Sequence, residues 1–131
     1  MVRDTSEIII MSMTQDIQQI EVNIAQAKEA VALGECLARL SKNRDFKKLI
    51  ETRYFKDEAH RLVMLKAAPS MQDEKNQAEI VKDMDGIGSL FQFFCAIQGE
   101  AGQMAHSIKV DQAMIDELAA SEAAAVNAEG E

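Results

Sequence analysis

The chain has 131 residues, a net charge of −8 and 47% apolar residues, enough for a single domain with a modest core. Its apolar set is mostly Ala, Leu, Ile and Met, with no Trp, one Tyr and one proline. That composition favours helices over sheets, which draw on β-branched and aromatic residues.

No stretch approaches the ~18 consecutive apolar residues of a membrane span. No secretory signal fits the first residues either, because Arg3 is offset by Asp4 and Glu7 and the apolar run 8–11 is too short. The expectation is a soluble protein of the cytosol where it is made. Cys36 and Cys95 belong to no CxxC pair, and they read as two buried thiols in a reducing compartment.

Charge is unevenly spread. Residues 1–38 carry two basic and six acidic groups, residues 39–66 nine and four, and residues 67–131 three and twelve. A basic centre between acidic ends suits packing against an acidic surface, in the same chain or another. Nucleic acid is a poor fit, because the whole molecule repels a polyanion and no aromatic residues alternate with the basic ones.

In chain order, residues 1–13 show no clear period and read as a flexible N-terminal arm. After Thr14, the residues Ile17, Ile20, Ile24, Ala27, Val31, Gly34 and Ala38 recur at steps of three and four, predicting a first helix over 15–41. A turn at Ser41, Lys42 and Asn43, with Asn43 or Asp45 as cap, leads to a short second helix over 45–54. Phe46, Leu49 and Ile50 mark its inner side, and Arg44, Lys47 and Lys48 the opposite one; Arg53 falls near the apolar side, where a local ion pair is expected. A third helix over 57–67 places Leu62 and Val63 inward and ends at Pro69.

Ser70, Asp73 and Glu74 form a capping-box-like start for the last helix. Its seam reads Ile80, Met84, Ile87, Phe91, Phe94, Gln98, Ala101, Ala105, Ile108, Gln112, Ile115 and Ala119. A repeat of that kind needs a partner along its length, which points to a coiled-coil-like helix and self-association. Glycines at 99 and 102 predict a kink or break there. The resulting division is a core domain over 14–98, a helical extension over 99–121 and a disordered acidic tail over 122–131. The fold class is all-α: three helices, then a long one. The predicted core comprises Ile24, Val31, Leu37, Phe46, Leu49, Leu62, Val63, Ile87, Phe91 and Phe94.

Catalytic signatures are missing. His60 and His106 read as helix-surface residues, and no HExxH, Gly-rich phosphate loop or GxSxG is present. No enzyme, cofactor or metal site is therefore expected. The candidate interaction residues are the basic Arg44, Lys47 and Lys48 and the apolar Leu90, Phe93 and Ile97, which crowd more than one face of the last helix.

Half of the chain carries a resemblance. Ala32, Leu33, Gly34, Leu37 and Leu40 are followed by Asp45, Phe46, Lys47, Lys48, Leu49 and Ile50. Then come Tyr54, Phe55, Lys56, Asp57, Glu58, Ala59, Arg61, Leu62, Pro69, Ile87, Phe93 and Phe94. Together they resemble a family of small uncharacterised helical proteins encoded among the virion structural genes of tailed bacteriophages. The resemblance implies a virion structural or assembly role, with capsid, portal or neck proteins as partners and the host cytoplasm and virion as locations. It transfers no active-site residue. The expectation is a homo-oligomer that docks on other proteins. The alternative is a small acidic phage-encoded inhibitor of a host protein, which should spread its acids over an ordered surface.

Overall fold

A computed structural model describes residues 4–129. Four α-helices lie along the chain: α1 (Thr5–Lys42), α2 (Arg44–Phe46), α3 (Ala59–Ala67) and α4 (Glu74–Glu129). A π-helical run (Lys47–Glu58) joins α2 to α3, and a 3-10 turn (Pro69–Met71) precedes α4. No strand occurs among the described residues, so the fold is all-α.

Helix α1 begins at Thr5, not near residue 15, so residues 5–13 are not the loose arm that weak periodicity suggested. Residues 1–3 lie outside the described residues. Helix α4 runs through Gly99 and Gly102 without a break and continues to Glu129, where a frayed tail was expected from 122. Residues 130 and 131 of that tail are outside the described set. Each interior glycine costs a helix ~1 kcal/mol, but packing of an apolar stripe outweighs propensity.

The chain forms two units. The first pairs Met1–Ala32 with Glu100–Glu131. On α1 the inward residues include Ile10, Met13, Ile17, Ile20, Ile24, Ala27 and Val31, with half-buried Ser6, Thr14 and Ala30 beside them; on α4 they include Ala101, Met104, Ile108, Asp111, Ile115, Leu118, Glu122 and Ala125, with half-buried Ser107. Both sets step by three and four, so the two stripes mesh as a heptad seam. The Thr14 hydroxyl donates to a Glu122 carboxylate oxygen at 3.3 Å, and Ile24 lies near Ile115, which makes the pair antiparallel.

The expected α4 seam was right at 101, 108 and 115 but one residue late at the alternate positions. Met104, Asp111 and Leu118 face inward in place of Ala105, Gln112 and Ala119. The larger side chains Met104 and Leu118 bury more apolar area than two alanines. The seam also has a partner within its own chain. The extra length of α1 supplies what the sequence argument had sought from a second copy.

The second unit is Leu33–Gly99. Leu62, 1% exposed, centres a core with Ile80 and Ile87, and Tyr54, Phe55, Ala59, Leu65, Met71 and Met84 pack around it. Leu37 is also buried.

The π-helical run corrects the middle of the chain most. Helical backbone is continuous from Arg44 through Ala67, so the expected boundary near Asp57 does not exist. The inward positions are Phe46, then 50 and 51, 54 and 55, 58 and 59, and Leu62. That spacing of about four residues exceeds the 3.6 of an α-helix, as expected of the wider π-helical turn. Leu49 and Val63, expected in the core, are therefore turned out, at 61% and 52% exposed. Accordingly Leu49→Gln and Val63→Gln should each change unfolding free energy by less than about 0.5 kcal/mol; a loss of several kcal/mol in chemical denaturation would restore the α-helical phase.

Caps fix the ends of these elements. Asn43 Oδ1 accepts the backbone N–H groups of Asp45 (2.9 Å) and Phe46 (3.0 Å). Asp73 accepts the Asn76 backbone N–H at 3.1 Å, and that bond holds its carboxyl below the usual aspartate range. Between α3 and α4, the Gln77 amide donates to the Lys66 and Met71 carbonyls, and Gln72 donates to those of Lys66 and Ala68. Carbonyls left over where Pro69 stops the helix are satisfied in this way.

Candidate protein interaction surface

Arg44, Lys47 and Lys48 are all exposed, on the helical rod that Asn43 caps. Arg53 is exposed as well, instead of held near the apolar side. Among the described residues the ion pair is Glu58 with Arg61, whose Nε donates to Glu58 Oε2 at 3.0 Å. The Arg61 hydrogen bond, helped by the nearby Arg53 charge, holds the Glu58 carboxyl below its ordinary range.

Leu49 sits in the midst of the basic residues. Together with Lys48, Thr52, Arg53 and Asp57 it lines a shallow depression of about 340 Å³. The sequence reading found the charges of this patch but missed its apolar centre, because the α-helical period had assigned Leu49 to the core.

The three apolar candidates do not share one surface. Leu90 and Ile97 lie half-buried on the inward stripe with Phe94, whereas Phe93 is 59% exposed. Inward Leu90 and Ile97 also displace Phe91 and Gln98 from the expected seam. Phe91, expected in the core, is 48% exposed.

Phe91 instead borders a groove of about 550 Å³ in the Leu33–Gly99 unit. Phe46, Phe55 and Phe94 line it with Leu37 and Ile87, and Glu51 and Lys56 stand among its polar lining residues. The rings meet edge to face: Phe55–Phe91 at 5.5 Å between centroids, Phe46–Phe94 at 5.8 Å and Phe55–Phe94 at 6.2 Å. This is the favoured aromatic arrangement. The signal for the groove was present as aromatic residues at 46, 55, 91 and 94, but only the π-helical phase brings Phe55 onto it.

No family model, curated protein or solved structure matches the chain. What the surface can do therefore rests on its own chemistry.

Among the described residues, no group of three or more His, Cys, Asp or Glu side chains is placed to hold a metal ion. His60 and His106 are exposed on helix surfaces. Cys36 and Cys95, expected to be buried, are both exposed thiols, because the seam passes one residue away from each, at Leu37 and Phe94. No helix among the described residues is long and apolar enough to cross a membrane.

The two units differ in charge, as the linear blocks do. The paired stretches 1–32 and 100–131 contain three basic and twelve acidic residues, and Leu33–Gly99 contains eleven and ten. The net negative charge is thus concentrated in the stretches that form the helical hairpin, because they hold few bases. Exposed Lys28 and Lys109 stand on the hairpin, whereas exposed Arg44, Lys47, Lys48 and Arg53 belong to the other unit.

Proposed function

We propose that this chain is a non-enzymatic protein–protein interaction component that oligomerises and docks on other proteins, in or on the way to a tailed-phage particle. The observation that carries it is surface. In the Leu33–Gly99 unit, large apolar side chains stand 40–61% exposed. Exposed Leu33, Leu40, Leu49, Val63, Met64 and Phe93 contribute to that surface, and apolar area of this extent is characteristic of association sites.

The phage setting is the finer part of the proposal and rests on the resemblance of residues 30–94. Its test is whether the protein is present, in fixed copy number, in purified particles of a phage that encodes it. The docking role assigned to Arg44, Lys47 and Lys48 has its own test. Lys47→Glu with Lys48→Glu should leave folding intact and weaken partner binding about tenfold, with a steep salt dependence in the wild type. Normal assembly of that variant at low salt would reduce the patch to a solvated helix face.

The acidic hairpin supports a second reading, an inhibitor that occupies the nucleic-acid-binding surface of a host protein. An ordered surface on which acids outnumber bases several-fold among the described residues is what such a mimic needs. Absence from particles, together with capture of a host nucleic-acid-binding protein that nucleic acid displaces, would favour it over the first.

A further inference from the structure

The aromatic groove of the Leu33–Gly99 unit has a rim that is complementary to itself. Glu51 and Lys56 both border it, five residues apart on the π-helical run. Five residues is about one π turn, so the two side chains stand one above the other on the same side. Lys56 is exposed and Glu51 half-buried, and neither takes part in an ion pair among the described residues. A second copy laid across this run by a two-fold axis brings each Glu51 opposite the other copy's Lys56, twice. Two-fold contacts have this property by construction: one patch meets itself.

We propose that the groove is the seat of a homodimer, closed by the same surface of a second copy. The proposal deepens the association reading above, and rests on it, by naming the partner and the symmetry. Between the two charge pairs, Phe91 at 48% exposed supplies the apolar body that enters the opposite groove. Aromatic anchors in an apolar pocket, rimmed by charge, are the usual composition of an interface centre. A foreign polyanion-binding or strongly charged partner suits the groove less well, because its rim carries one acid and one base.

Gly88 provides a clean probe. It lines the groove, and a Cβ built there meets no heavy atom within 4 Å. Gly88→Leu therefore starts its side chain in open space at the groove, and it replaces a weak helix former with a strong one.

The experiment is sedimentation equilibrium of the full chain at micromolar concentration, with circular dichroism confirming that each variant is folded. The wild type should sediment at twice 14.5 kDa. Gly88→Leu should be a folded monomer. Glu51→Lys and Lys56→Glu should each weaken the dimer about tenfold or more, and the double exchange should restore it. A monomeric wild type overturns the homodimer, and if that monomer is still found in particles the association reading survives without it. A wild-type dimer that Gly88→Leu and both single charge variants leave intact overturns the groove as its seat, while self-association itself stands.

Discussion

Leu62→Ala is expected to destabilise the Leu33–Gly99 unit by about 2–5 kcal/mol, among the largest losses any single truncation here should produce. At 1% exposure Leu62 is the most fully enclosed large side chain described, with Ile80 and Ile87 beside it and Tyr54, Phe55, Leu65 and Met84 around it. Two costs add. The removed carbons lose their transfer energy, and three rigid helical segments cannot close in on the space they leave. Chemical denaturation followed by circular dichroism measures the effect. Val63→Ala, one residue on and 52% exposed, serves as the control and should fall within about 0.5 kcal/mol of wild type. Equal losses at the two positions would show that the inward phase of this segment had been misassigned.

Ile24→Ala should cost a similar ~2–5 kcal/mol, but in the other unit. Ile24 and Ala27, at 7% and 6% exposed, are the best buried residues of the helical hairpin. A pair of helices has only one seam, so each buried residue carries a large share of its stability. Native-state amide hydrogen exchange reads the result by position. Amides over 10–31 and 101–125 should lose protection while those around Leu62 keep theirs. An equal loss of protection around Leu62 would mean that the two units open as a single cooperative body.

The helical class and most of the α1 stripe were legible in the sequence, because Ile17 through Val31 hold a strict heptad spacing that one period describes. Half of the α4 stripe was legible for the same reason. The other half slipped by one residue, because both Phe91 and Leu90 fit an apolar seam and only packing decides between them. The middle segment was misread for a different cause. A π-helix has no propensity signature of its own, so Leu49 and Val63 were placed with an α-helical ruler that does not apply there. The basic residues were found correctly, since charge needs no period to be recognised. The aromatic groove was not, because its walls come from α1, α4 and the rephased segment together.

The antiparallel hairpin has a consequence for how such a gene can change length. Its two stripes repeat every seven residues and run in opposite directions. Losing seven residues from α1 alone would leave one heptad of α4 bare. Losing seven from each, before Ala32 and after Glu100, would shorten the arm by about 10 Å and keep every remaining layer matched. Insertions and deletions in relatives of this chain should then come in paired sevens, one in each half of the gene, and the reach of the hairpin becomes a quantity that selection can adjust in steps.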